Sequence, residues 1–248
     1  IKLQIFDGTR LIRTLKQKAP KENGVHTMRW YLTEKGVSRA SRSNRISKRE
    51  PSGISVLPGT YRLKMSFGDV TSEQNITVAF DPRLTYSAEH LAQRYQTRKQ
   101  LESDVKMIAN VVTQLKEAKN TANTMSKNMA NTDKKKYKTE IKASKDISTQ
   151  IEKLISLYLG TIDKRQGITR NPEVTVNQRL GVARRYVQSR FGAISKTETE
   201  LINNFKEALK GTVTTTNNFF EKDWKDYKEK MDPIKISAFK EVKKFNIN

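Results

Sequence analysis

The chain has 248 residues, 35% of them hydrophobic, and no cysteine, which excludes disulfides, thiolate metal sites and thiol catalysis. Lys and Arg number 48 against 26 Asp and Glu, a formal charge of +22 that suits an anionic partner: nucleic acid, a membrane or glycan surface, or an acidic protein. No apolar run approaches the roughly 18–20 residues of a membrane span, so no transmembrane segment is expected, and a chain that opens at Ile1 without a signal peptide is expected to be a fragment or a processed piece of something longer.

Ile1, Leu3 and Ile5 alternate with Lys2 and Gln4, and Asp7-Gly8 is a hairpin signal that predicts a returning strand over Leu11 to Leu15. After a polar break, Val25 to Leu32 reads as a third strand, and residues 33–53, Ser- and Arg-rich without periodicity, read as a long loop. Pro58-Gly59 is a turn that feeds a strand in which Tyr61, Leu63, Met65 and Phe67 point one way and Arg62, Lys64 and Ser66 the other. Gly68-Asp69 reverses the chain, Ile76, Val78 and Phe80 alternate again, and Asp81-Pro82-Arg83 ends the sheet as a short connector. Strands of this kind over residues 1–85 predict an antiparallel β-sandwich with Trp30 and Tyr61 in its core.

From Tyr86 onward the period changes to that of a helix. Ser87 is placed to cap, and Leu101, Val105, Ile108, Val112, Leu115, Ala118, Ala122, Met125 and Met129 mark one face up to a break at Asn131-Thr132-Asp133. Tyr137, Ile141, Ile147, Ile151, Leu154 and Tyr158 mark a second helix that ends near Gly160. Asn171-Pro172-Glu173 predicts the start of a third, with Leu180, Ala183, Val187 and Phe191 as its stripe. Ser195-Lys196-Thr197-Glu198 fits a capping box and opens a fourth, whose stripe runs from Ile202 through Phe205, Leu209, Val213, Phe220, Trp224 and Tyr227 to Met231. The expected fold class is α+β in two domains: a sandwich over 1–85, then an up-and-down four-helix bundle with a C-terminal tail over 86–248.

The run LQIFDGTRLIRTL, then GVHTMRWYL, VLPGTYRLKMSFGD and ITVAFDPR, resembles the C-terminal region of sortilin-like β-propeller proteins of Bacteroidetes, which carry BNR repeats and are often described as glycosyl hydrolases. In that family a propeller is followed by a small immunoglobulin-like module, similar to the one in flagellar hook-capping proteins, and by a helical tail. The resemblance implies an Ig-like fold for residues 1–85 and an exported protein held at the bacterial cell surface or outer membrane, or secreted. It also implies a propeller before Ile1. The chain departs from the family in lacking that propeller and in being more basic, so no propeller activity is carried over.

Candidate site residues are few. Arg39, Arg42 and Arg45 lie in a loop with no acid between Lys35 and Arg49, the pattern of a phosphate, glycan or acidic-partner contact or of a solvated loop. His26 and His90 fall in different expected domains without carboxylates nearby, so no metal and no cofactor is expected. No nucleophile elbow, phosphate loop or facing acid pair is visible, and no catalytic residue is assigned. The first helix, about 67 Å long at 1.5 Å per residue, exceeds the second, about 40 Å. The overhang leaves Met125 and Met129, or Leu91 and Tyr95 at the other end, to be covered by the sandwich, by the tail Ile234 to Ile247 or by another protein, unless the Asn-rich stretch Lys119 to Asn131 frays and shortens the helix; a partner contact at Met125 and Met129 is the favoured expectation. The leading expectation is a non-catalytic structural and protein-interaction portion of a surface assembly. The alternatives are a basic nucleic-acid-binding protein, which the lack of aromatics beside the basic loop disfavours, and part of a glycoside hydrolase whose active site lies in the absent propeller.

Overall fold

The computed structural model describes residues 1–43, 50–162 and 173–235. The protein is α+β, with antiparallel strands in the N-terminal part and helices after them. β1 (Lys2–Asp7) lies between β2 (Arg10–Lys16) and β5 (Gly59–Phe67), and β6 (Val70–Val78) extends the sheet beyond β5. Both hairpins turn on two residues, Gly8-Thr9 and Gly68-Asp69, because Gly8 and Gly68 take φ of +58° and +56°, angles a Cβ would oppose.

Leu3 and Ile5 of β1, Ile12 of β2 and Tyr61 of β5 form the buried centre, and Leu15, Met28, Trp30, Val56, Leu63, Ile76 and Val78 pack around it partly buried. The inward alternation of β5 fades toward its hairpin tip, where Met65 and Phe67 are exposed.

The expected strand over 25–32 does not form. Leu32 takes φ of +51°, a left-handed angle that interrupts an extended run, and Val25 is wholly exposed. Met28 and Trp30 nonetheless reach the core from an irregular segment, and Trp30 is held there by Nε1 donating to Thr33 O at 2.9 Å. The segment expected to be a loop instead contributes a two-stranded ladder, β3 (Thr33–Lys35) with β4 (Ser52–Ser55). Its crossing point needs two glycines, since a Cβ on Gly36 would lie 2.5 Å from the Ser52 carbonyl oxygen and one on Gly53 2.8 Å from that of Lys35.

The helices are α1 (Ala88–Asp133), α2 (Lys138–Leu159), α3 (Val176–Gln188), α4 (Lys196–Glu221) and α5 (Asp223–Met231). Ser87 Oγ accepts from His90 N at the start of α1, and Asp133 Oδ1 accepts from the backbone of Lys135 and Lys136 at its end. The stripe expected on α1 is buried at every position but Met125, which is half-buried. α3 does not begin at the proline. Thr175 Oγ1 accepts from Gln178 N as its cap, and Glu173 lies outside the helix, accepting from Thr161 N at 2.8 Å. The fourth expected helix is two, because Lys222, at φ −114° and ψ −80°, breaks the run between α4 and α5. The tail after Lys235, with Ile236, Phe239, Val242 and Phe245, lies outside the described residues.

By compactness the chain divides into two units, residues 1–109 with 180–202 and residues 110–179 with 203–248. In the first, Leu101, Val105 and Ile108 of α1 and Leu180, Ala183 and Val187 of α3 are buried in addition to the sheet core. The second buries Val112, Leu115 and Met129 of α1, Ile151 and Tyr158 of α2 and Phe205 of α4, with the Tyr158 hydroxyl 2.9 Å from that of Thr216.

Candidate anion-binding groove

The polar groups sort into two populations, those consumed in holding elements together and those left to solvent. Glu34, on β3, is the clearest of the first kind. Its carboxylate receives Arg10 from β2 at 3.1 and 3.3 Å and, from α1, the Tyr95 hydroxyl and the Lys99 ammonium. Burial alone would push this carboxyl up, and the bonds from Lys99, Tyr95 and Arg10 outweigh it and hold it below the usual range. Burial and Glu34 together push the Tyr95 hydroxyl up to about 12, so it stays a donor. Tyr95, expected to need a cover outside the bundle, is thus engaged by Glu34 and Arg10 of the strands, and Leu91 is half-buried.

Beside it, Arg13 of β2 is buried and donates to the carbonyls of Glu34 and Pro51 at 2.9 and 2.5 Å and to that of Glu50 at 3.2 Å, so β2 is fastened to the β3–β4 ladder. In the same unit Arg94 of α1 meets Glu198 of α4, and Glu198 also completes the capping box with Ser195 N at 2.7 Å. Arg98 of α1 and Arg184 of α3 are half-buried, and burial disfavours their charge first, with repulsion by Arg184 adding to it at Arg98 and repulsion by Arg39 at Arg184.

Of the residues expected at a partner contact, Arg39 is exposed and lies within electrostatic reach of Arg184, and Arg42 is half-buried. Arg45 lies outside the described residues. At the other end of α1, Met129 is fully buried and Met125 half-buried, so Met129 is covered within the chain and is not an exposed partner contact.

One cluster of the second population lies where α1 turns into α2. Lys134 and Lys135 from the turn and Lys138, Lys142 and Lys145 from α2 line a groove of about 490 Å³ with Ile141. The helical three fall at steps of four and three, which puts them on one side of α2. Ile141 is buried and belongs to the same stretch, so the groove lies over the edge of the apolar stripe. The turn is fixed by Asp133, whose side chain accepts from two backbone N–H groups at 2.9 Å and whose carbonyl accepts from Tyr137 N at 3.1 Å. All five lysines are exposed, no acid is among the lining residues, and among the described residues none of the five is ion-paired.

Sequence reading did not single these lysines out, although the signal is present: residues 134–145 hold six lysines against the single acid Glu140. A lysine-rich turn between helices reads as solvated surface until a fold gives it a concave shape. His26, whose ring bonds the Glu22 carbonyl at 3.0 Å, and His90, on α1, belong to neither population. No protein-family model, no curated protein and no solved structure matches the chain.

Proposed function

We propose that this chain is the non-catalytic docking portion of a larger exported protein of the bacterial cell surface, and that it joins an assembly through an anionic face of its partner. In this reading residues 1–85 form an Ig-like sandwich of the hook-capping type, a rigid platform, and residues 86–248 form an up-and-down four-helix bundle that makes the contact. The resemblance of LQIFDGTRLIRTL, GVHTMRWYL and VLPGTYRLKMSFGD to sortilin-like proteins supports the placement behind a propeller.

The observation that carries the docking reading is the sorting of charge. Acids such as Glu34 and Glu198 are filled with donors, Glu34 fastening β3 to β2 and α1 and Glu198 fastening α4 to α1, whereas among the described residues the five lysines around one groove have no ion pair. A general acid or base must exchange its proton with a substrate, a task that a carboxylate filled by fixed cations performs poorly. Unpaired exposed cations instead lose little on binding and steer an anionic partner. The test is sedimentation of the purified chain with a Bacteroidetes envelope fraction. The chain is expected in the pellet at low salt and increasingly in the supernatant as salt rises. Recovery in the supernatant at every salt concentration overturns the reading.

A further inference from the structure

We propose that the groove of Lys134, Lys135, Lys138, Lys142 and Lys145 is a binding site for a compact, multiply phosphorylated group. The inference rests on the docking reading above and names the chemistry through which the contact is made.

Five lysines line about 490 Å³ with no acid among the lining residues, so neutralising the positive charge of the groove falls to counter-charge from solution. Dilute salt does this weakly at an exposed site, whereas one molecule carrying several negative charges does it at once and releases the condensed small ions. The volume lies within the usual range for a small-molecule site, about 300–1,000 Å³, so the ligand is a compact group rather than a long track.

The residue types narrow the class further. Lysine is a point charge on a flexible stem with three rotatable donors, suited to tetrahedral phosphate oxygens in varied positions. A planar carboxylate would instead favour the fixed fork of arginine, and no arginine lines the groove. Nucleobases would call for aromatic stacking platforms, and no aromatic lines it either. Ile141 and the lysine stems give the groove a largely apolar lining. Clustered phosphates satisfy charge count, size and donor geometry together. They can arrive free, as an oligophosphate, or on a surface, as a lipid headgroup with more than one phosphate.

The test titrates the full 248-residue chain with tripolyphosphate and with orthophosphate at equal ionic strength, by calorimetry. One tripolyphosphate is expected per chain, bound far more tightly than orthophosphate. Lys138→Glu with Lys142→Glu is expected to weaken it by about tenfold or more, while Lys18→Glu with Lys21→Glu, the same change in net charge on an exposed segment, leaves it within about twofold. Lys142→Gln with Lys145→Gln provides a milder pair in case the reversals disturb α2, with helicity checked by circular dichroism. Vesicles containing cardiolipin, compared with phosphatidylglycerol at matched charge, identify the source. Vesicle binding displaced by tripolyphosphate assigns the phosphates to a lipid headgroup, and tripolyphosphate binding without vesicle binding assigns them to a free ligand. No tripolyphosphate binding, equal loss in the groove and control variants, or an oligothymidylate that binds through these lysines and is not displaced by tripolyphosphate overturns the proposal. If the wild-type chain still sediments with envelopes in that case, the groove assignment alone fails and the docking reading stands.

Discussion

Arg94 of α1 and Glu198 of α4, 104 residues apart in the chain, meet as a two-point ion pair at 2.8 and 3.1 Å with both side chains buried. Arg94 spends its remaining donors on the carbonyls of Val187, Gly192 and Ala193, so one guanidinium holds the end of α3, the connection after it and the first turn of α4. Removing one partner leaves the other buried and uncompensated. Glu198→Ala and Arg94→Ala are each expected to cost about 3–5 kcal/mol in chemical denaturation. The double variant is expected to cost less than the two single costs added, which a double-mutant cycle measures directly.

Glu34 and Glu198 also make the fold sensitive to acid. Burial pushes each carboxyl up, and the bonds from Lys99, Tyr95 and Arg10 to Glu34, and from Arg94 and Ser195 to Glu198, bring each below its ordinary value. A carboxyl that is a stronger acid folded than unfolded contributes stability above its unfolded pKa. That stability is lost as pH falls through the folded value. Wild-type stability is therefore expected to fall from about pH 5 downward, and Glu34→Gln is expected to fall less steeply because that contribution is already gone.

Glu102 carries the opposite sign. Burial raises its carboxyl, against the attraction of Lys99 and Arg184, so its charge is disfavoured in the folded state. Ionised Glu102 thus subtracts from stability above its unfolded pKa, and the penalty is relieved as pH falls through the raised folded value. Glu102→Gln is expected to leave the protein as stable as wild type or more so near neutral pH, while Glu34→Gln costs on the order of 1–3 kcal/mol. Loss of stability in Glu102→Gln equal to that in Glu34→Gln contradicts the assignment.

What the sequence revealed was what depends on neighbours in the chain. Gly8 and Gly68 announced both hairpins because a two-residue reversal needs a positive φ. The stripe from Leu101 to Met129 announced α1 because burial of one helix face repeats every three to four residues. The Ser195–Glu198 capping box was visible because its two partners are three residues apart. What stayed hidden depends on long-range meetings. Nothing local tells that Glu34 will receive Arg10, Tyr95 and Lys99, or that Gly36 will cross Gly53. Val25 to Leu32 read as a strand, but the Trp30 indole is held by Thr33 O while Leu32 turns the backbone away. The lysine groove went unread for the same reason, since concavity belongs to the turn and α2 together.

Trp30 is half-buried, with its ring edge-on to Tyr61 at 5.6 Å between centroids. Trp30→Ala is therefore expected to cost about 2–3 kcal/mol, below the range for a fully buried aromatic. Trp30→Phe, which keeps the ring contact and loses the bond to Thr33 O, is expected to cost about 1 kcal/mol in urea denaturation.

Gly36 gives the sharpest steric test. Its N–H donates to Pro51 O at 2.8 Å, and a Cβ there would stand 2.5 Å from Ser52 O and 2.7 Å from Gly53 N, backbone atoms that no side-chain rotation can move. Gly36→Ala must therefore push β3 from β4 and with it the carbonyls of Glu50 and Pro51 that receive Arg13. Arg13 would keep its buried charge and lose its acceptors, so the substitution is expected to cost more than about 3 kcal/mol, well beyond a glycine-to-alanine change in open space. Gly192→Ala is the control, since nothing lies within 4 Å of its added methyl, and it is expected to shift stability by less than about 0.5 kcal/mol. Hydrogen exchange separates a local from a global effect. Gly36→Ala should speed exchange at Gly36 and Val56, whose N–H groups bond Pro51 O and Leu32 O, more than at Leu3 or Ile5 in the central strand. Equal stability of the two glycine variants would mean that the β3–β4 ladder yields without loss, and that Arg13 does not depend on it.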